Sequence, residues 1–432
     1  MKHMFKKSLL GALVLSLGLT GCGTSTKSGT SGKDSQTKAA IVTADDVKTE
    51  TTLTFWHALT GPHQDQLNKM VSGFNDKWKG KFKVEASNQG TYTDLSTKLA
   101  TALTAKQLPT MTLGYEDWMY SHHEKDAVVA LDDYITNAKV GMKDYEDIFQ
   151  AFRDTTKLDG KTYAVPFNKS TEVLYVNDDL LAKAGVTAPK TDDELISASK
   201  AIKEKTGKPG YGADSLANYF ITKTYQQNAP YHTGDKVNLT NDVSKKIAQT
   251  YQDGVKGGYF RIAGEDKFLS GPFNSGAVAM YQGSSAGAAF IKPNGFKFSV
   301  YPVPGGAGIQ QGTNLSVFKT ATPEQIAGAW EFIKYMTSVD PQVDFAMVTG
   351  YLPIRQSAAK SAKYVEFAKK NTVAQLFVDG KLKFFSDPVY KASTIGRSEI
   401  EAMMQKINSD TSASVDEALK KAQSAIEFAQ KR

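Results

Sequence analysis

Residues 161–183, KTYAVPFNKSTEVLYVNDDLLAK, constrain the fold more than any other stretch of the chain. Tyr163-Ala164-Val165 is an apolar, strand-like run. Pro166 has no N–H to give a ladder, so a central strand is expected to stop or bend there. Asn168-Lys169-Ser170-Thr171 reads as a polar corner, and Val173-Leu174-Tyr175-Val176 as a strand that restarts. Asn177-Asp178-Asp179 has the composition of a helix cap ahead of Leu180-Leu181-Ala182-Lys183. A strand that stops, exposes small hydroxyls and resumes suits a chain crossing between two bodies at the floor of a cleft. A surface hairpin is the alternative that the pattern leaves open.

The 432 residues exceed one average domain, which favours two lobes. Upstream of the crossing, strand and helix patterns alternate. Residues 52–56 alternate as a strand, and residues 63–78 place Leu67, Met70, Val71 and Phe74 at helical spacing. Residues 82–85 form a second strand, residues 93–103 a second helix, and residues 111–115 a third strand. Such alternation predicts parallel βαβ units, whose ligands sit beyond the carboxyl ends of the strands. Tyr92, across the short turn Asn88-Gln89-Gly90 from the second strand, and Glu116, immediately after the third, are candidates for that edge. Downstream, residues 274–290 read as a buried strand ending in the small-residue corner Gly283-Ser284-Ser285-Ala286-Gly287, where backbone N–H groups can approach an anion. Residues 296–304 and the helix start at Thr322-Pro323-Glu324 are candidate second and third crossings. The expected division is a lobe of residues 51–160 and 299–320 and a second of residues 161–298 and 321–432.

The N-terminus has the form of a secretory signal, with Lys2, Lys6 and Lys7 ahead of a short apolar run. The run ends Leu19-Thr20-Gly21-Cys22, which resembles a bacterial lipobox. Residues 1–21 are therefore expected to be a lipoprotein signal peptide and Cys22 the lipidation site. Residues 22–50, rich in Gly, Ser, Thr and Lys, are expected to be a flexible tether. The expected localisation is extracytoplasmic, held to the cell membrane by the lipid alone.

Cys22 is the single cysteine, which removes disulfide frameworks and Cys-based catalytic or metal sites from the body. The histidines lack HExxH or comparable spacing, no carboxylate cluster completes a metal shell, and no GxSxG elbow occurs. No enzyme activity, catalytic residue, metal or cofactor is expected. A net charge of +7 without a Lys/Arg block is not a nucleic-acid footprint.

These residues together resemble extracellular solute-binding proteins of ABC importers, and within them the glycerol-3-phosphate and glycerophosphodiester binders. The matching pieces are Phe55-Trp56-His57 with Gly61, Gly90-Thr91-Tyr92, Tyr115-Glu116, Pro166-Phe167-Asn168 through Ser170-Thr171, Leu174-Tyr175, Ser284-Ser285, Gly312, residues 349–354 (TGYLPI) and Arg397. The resemblance implies an α/β fold of two lobes, with mixed sheets flanked by helices and about three crossings. It implies a ligand shell of Tyr92, Glu116, Ser170, Ser284, Gly312, Tyr351 and Arg397. Arg397 would hold phosphate oxygens, and Glu116 with Ser170 the glycerol hydroxyls. Glycerol-3-phosphate binders of this kind carry two tryptophans after a Gly-Tyr pair. Here Gly210-Tyr211 is followed by neither, and Leu216 with Tyr219 or Phe220 is expected in their place, widening the pocket for a head group such as choline. Trp56 is a further candidate for the pocket wall. The implied function is capture of a small phosphorylated glycerol ligand by a monomer and delivery to the permease's transmembrane subunits. An oligosaccharide binder, with Trp56 and Trp118 as platforms, and a lipid-anchored glycerophosphodiester hydrolase are the alternatives.

Overall fold

The structure is a computed structural model that describes residues 41–432. The expected signal peptide, Cys22 and residues 22–40 of the expected tether lie outside the described residues. Residues 41–50, expected to belong to the tether, are instead tied to the body. Val47 is buried in the core, Asp46 accepts from both the N–H and the hydroxyl of Thr43, and Lys81 Nζ donates to the carbonyl of Ala44. Among the described residues no helix is long and apolar enough to cross a membrane.

A ten-stranded mixed sheet runs through the molecule. Its strands are β1 (Thr51–His57), β2 (Phe82–Asn88), β3 (Met111–Gly114), β4 (Val165–Asn177), β5 (Tyr211–Ala213), β6 (Phe260–Ile262), β7 (Met280–Ser284), β8 (Phe298–Pro302), β9 (Gly308–Val317) and β10 (Phe384–Phe385). The order is β6-β5-β7-β4-β9-β3-β1-β2, with β8 also on β4 and β10 on β9. β1 pairs in parallel with β2 and β3, as the alternating patterns predicted. Helix α1 (Gly61–Lys77) turns Leu67, Met70, Val71 and Phe74 into the core between β1 and β2, and α2 (Tyr92–Ala105) turns Leu95 and Leu99 inward between β2 and β3.

β4 is where the two halves of this sheet meet. Val165–Thr171 pairs with β9 in the half that holds β1 to β3, whereas Glu172–Val176 pairs with β7 in the other. All thirteen residues of β4 are buried, so the hairpin alternative fails, and the expected stop at Pro166 does not occur. The ladder absorbs the proline in a bulge. Asn168 faces Thr313 and Pro166 faces Asn314, which leaves Phe167 unopposed. A bulge is a place where a missing N–H forfeits no ladder bond. The expected polar corner at residues 168–171 is likewise regular strand.

Past this point the side chains of β4 alternate between two cores. Val173 and Tyr175 join the cluster that contains β1 and α1, while Leu174 and Val176 join the second cluster with Tyr211, Phe220 and Tyr251. The second crossing is β9, just after the candidate stretch at residues 296–304, whose strand β8 pairs with residues 173–177 of β4. The third is not at Thr322-Pro323-Glu324. There α5 (Pro323–Met336) buries Trp330, Phe332 and Ile333 in the same core as β1. Further on, Leu382 joins the first cluster and Phe385 the second, with β10 paired in parallel to β9. The fold is thus the expected two-lobed α/β arrangement.

Gly312 on β9 marks how tightly the crossing strands meet. Its φ is +99°, and a Cβ there would lie 1.9 Å from the carbonyl oxygen of Asn168. Gly312→Ala is expected to cost roughly 3 kcal/mol or more, read as a lowered urea midpoint. An unchanged midpoint would mean that the strands can separate freely.

Candidate ligand-binding cleft

The carboxyl ends of β2 and β3 supply one wall of a cleft of about 660 Å³. After β2, Thr91 caps α2 in a reciprocal box with Asp94, which sets Tyr92 in the first helical turn. After β3, Tyr115 precedes α3 (Glu116–His123), so Glu116 and Asp117 open that helix at the cleft. The rings of Tyr92, Tyr115 and Trp118 form a continuous aromatic surface, with centroids of Tyr115 and each neighbour 5.1 Å apart. Ser215 and Asn218 at the start of α4 (Leu216–Gln226), Asp387, and Ser393, Thr394 and Arg397 on α6 (Ser393–Ser409) supply the other wall. Gln310 and Gln311 of β9 complete the lining from the sheet.

The charges are arranged in pairs with one acid in excess. Lys169 Nζ, fully buried on β4, lies 2.6 Å from Glu116 Oε1. Burial opposes the charge on Glu116, but the Lys169 ammonium and its hydrogen bond outweigh it and hold the carboxyl below its usual range. Arg397 donates through Nη1 to Asp387 Oδ2 and through Nη2 to Asn218 Oδ1, both at 2.5 Å. Burial pushes the Asp387 carboxyl up, with Arg397 opposing it. Asp117 is also pushed up by burial, and Thr394 and Arg397 draw it back only in part. It has no cation of its own comparable to Lys169 or Arg397 among the described ion pairs. Four lining atoms, Gln310 Oε1, Gln311 Oε1, Asp387 Oδ1 and Ser393 Oγ, are buried without a hydrogen-bond partner among the described residues. Buried polar atoms in native proteins are normally satisfied, so a cluster at one cleft is a mark of a polar guest.

Of the seven residues in the expected ligand shell, Tyr92, Glu116 and Arg397 line the cleft. The other four stand next to it. Gly312 pairs with Lys169, and Ser170 with Gln311. Ser284 Oγ donates to Ser170 Oγ at 3.1 Å, and the hydroxyls of Tyr92 and Tyr351 are hydrogen-bonded. Arg397 lies in the second turn of its helix, not at the start expected from Gly396-Arg397-Ser398. The expected pocket wall is corrected. Leu216, Tyr219 and Phe220 are buried in the second core, because α4 turns Ser215 and Asn218, three residues apart, to the cleft. Trp56 packs against the small core of Leu95 and Trp118 and is not part of the lining. Sequence reasoning missed Asp117, Asn218, Gln310, Gln311 and Asp387. Two of these carried a signal that could have found them, Asp117 beside Glu116 at a strand end and Asn218 three residues after Ser215 in an otherwise apolar helix start.

The family described as bacterial extracellular solute-binding protein matches residues 69–384. The sn-glycerol-3-phosphate-binding periplasmic protein UgpB of Brucella abortus is 26% identical over 414 residues, covering 88% of this chain and 94% of its own. The protein of the same name from Rhizobium meliloti is 26% identical over 341 residues, covering 74% and 79%. Among solved structures, UgpB of Mycobacterium tuberculosis in complex with glycerophosphocholine superposes with a TM-score of 0.78 at 21% identity, covering 88% of this chain and 99% of that one. The GacH receptor of Streptomyces glaucescens, solved unliganded and with acarbose, gives 0.76 at 22% identity, covering 89% and 99%.

Removing the cation under Glu116 tests the charge pairing. Lys169→Met leaves a carboxylate without its ammonium and is expected to cost about 3–5 kcal/mol of stability at neutral pH. Adding Glu116→Gln is expected to restore most of the loss in urea unfolding. Additive losses from the two changes would show the pair to be uncoupled.

Proposed function

Because this chain belongs to the bacterial extracellular solute-binding proteins, we propose that its cleft captures a glycerophosphodiester with a cationic head group, of which glycerophosphocholine is the type, and delivers it to the permease subunits of an ABC importer. The observation that carries this reading is the presence of both signs in one cleft, Arg397 beside Asp387 on one wall and the further carboxyl of Asp117 on the wall opposite. Asp387 and Asn218 engage one nitrogen each of the guanidinium, which leaves further N–H donors for phosphate oxygens. Glu116, acceptor-only when ionised, suits glycerol hydroxyls. A phosphomonoester adds about −1.5 to −2 charges at neutral pH to a cleft already rich in acids. A diester adds a single negative charge, and its cationic head offsets the acid excess. The relatives named for sn-glycerol 3-phosphate support the phosphate part of the reading.

Closure of the two lobes on the ligand follows if the ligand binds the closed form more tightly than the open one. Extracytoplasmic placement accords with the family. Anchoring through a lipidated Cys22, and action as a monomer, are parts of the same proposal.

A second reading, an oligosaccharide binder, is supported by the aromatic surface of Tyr92, Tyr115 and Trp118 and by the unpartnered amide oxygens of Gln310 and Gln311, both suited to sugar rings and hydroxyls. Calorimetry of the purified protein with glycerophosphocholine, sn-glycerol 3-phosphate and maltose separates the readings. Glycerophosphocholine is expected to bind at least about tenfold more tightly than the monoester, with no heat from maltose. Arg397→Met is expected to weaken it by roughly 10- to 100-fold. Tight maltose binding with silence from both phosphates would overturn the proposal. Release of sn-glycerol 3-phosphate from the diester would overturn its binding-only character.

A further inference from the structure

Glu172 is the second ionisable residue of β4, only 3% exposed, and it lies outside the cleft lining. Its two carboxylate oxygens each receive a primary amide. Oε1 accepts from Nδ2 of Asn218 at 3.0 Å, and Oε2 from Nε2 of Gln282 at 2.5 Å. A primary amide has a donor end and an acceptor end, whereas a carboxylate only accepts. With its donor end on Glu172, Asn218 must turn Oδ1 outward, and that oxygen accepts from Nη2 of Arg397. Gln282 turns its Oε1 away in the same manner and accepts from the Tyr211 hydroxyl at 3.0 Å. The carboxylate therefore dictates which way both amides face.

We propose that Glu172 is a positioning residue that holds the Arg397 guanidinium in the cleft through Asn218, and that its protonation releases this hold and lowers affinity for an anionic ligand. Protonated Glu172 carries a hydroxyl donor of its own. One of its two amide partners then faces a donor with a donor and has to rotate. If Asn218 rotates, its NH₂ group points at the guanidinium in place of its oxygen.

The direction with pH follows from the surroundings. Burial pushes the Glu172 carboxyl up to about 7, with Gln282, Asn218, Arg397 and Lys223 pulling it back only in part. The groups that face it are Arg397 on α6, Lys223 on α4, Tyr211 on β5 and Asp214 after β5, the last two of which the Glu172 charge helps to raise. Asp387 also holds Arg397 and is also pushed up by burial, but its protonation would free the guanidinium for ligand and act in the opposite sense. Affinity is therefore expected to be highest above neutral pH, where Glu172 is ionised, and to fall below it.

The test has one arm that needs no ligand. Side-chain amide resonances of ¹⁵N-asparagine-labelled protein, with Asn218 assigned by its loss in Asn218→Ser, are followed from about pH 5.5 to 8.5. The Asn218 amide is expected to move along a single curve with a midpoint near neutral pH, and to stay flat in Glu172→Gln. A flat response in the unaltered protein, or an unchanged curve in Glu172→Gln, overturns the inference. The second arm rests on the proposed ligand class and uses calorimetry with glycerophosphocholine at the two ends of that range. Affinity is expected to drop by about tenfold at low pH in the unaltered protein. In Glu172→Gln, matched for melting temperature, it should not change. An equal drop in both proteins overturns the ligand part of the inference. If glycerophosphocholine gives no heat at any pH, the ligand class is wrong, and the amide titration alone decides the role of Glu172.

Discussion

The structure depends on one pair of strands. β4 and β9 run side by side between the two halves of the sheet, and every residue of β4 is out of solvent. A strand so placed would ordinarily be apolar throughout. Here its middle carries Asn168, Lys169, Ser170, Thr171 and Glu172. Burying such groups is costly unless each finds a partner. The partners are Glu116 for Lys169, and Asn218 with Gln282 for Glu172. Glu116 and Asn218 line the cleft, and Gln282 stands behind them, linked to it through Glu172 and Asn218. The polar centre of β4 thus supports the cleft from behind, while its apolar ends belong to the two cores.

This arrangement explains why the cleft combines opposite charges without collapsing on itself. Lys169 fixes Glu116 from beneath. Asp387 and Asn218 fix Arg397 from its own side of the cleft. The groups are held in place before any ligand arrives, so binding does not have to order them. Held in this way, Arg397 and Asp117 present a positive and a negative site from opposite walls, and the aromatic rings of Tyr92, Tyr115 and Trp118 give the wall of Asp117 a flat apolar face. Small phosphorylated zwitterions and sugars both fit such a surface in part. The balance of charge favours the zwitterion.

Much of this was legible in the sequence, for identifiable reasons. The first three strands and two helices follow strict periodicities, and Tyr92 and Glu116 could be placed because a parallel sheet exposes the residues after its strands. The continuity of β4 was not legible. Pro166 and, after Phe167, four polar residues have the composition of a turn, and only the bulge opposite Asn314 makes the stretch strand. Arg397 was reached through resemblance alone, since nothing local separates it from a solvated helix arginine. Asp387, Gln310 and Gln311 carry no pattern at all, because their role arises from tertiary packing. Leu216, Tyr219 and Phe220 were assigned to the wrong side of a helix. The spacing of Ser215 and Asn218 against a run of apolar residues would have indicated the correct face.

The central claim is that Arg397 receives the phosphate of a zwitterionic diester while acid beside it receives the cation. A crystal structure of the protein grown with glycerophosphocholine tests this most directly. The account predicts phosphate oxygens within hydrogen-bond distance of the Arg397 guanidinium, with the quaternary ammonium on the side of Asp117 and the aromatic wall. A ligand seated elsewhere, or a guanidinium that stays turned wholly to Asp387 and Asn218 while only glycerol hydroxyls touch the protein, would contradict it.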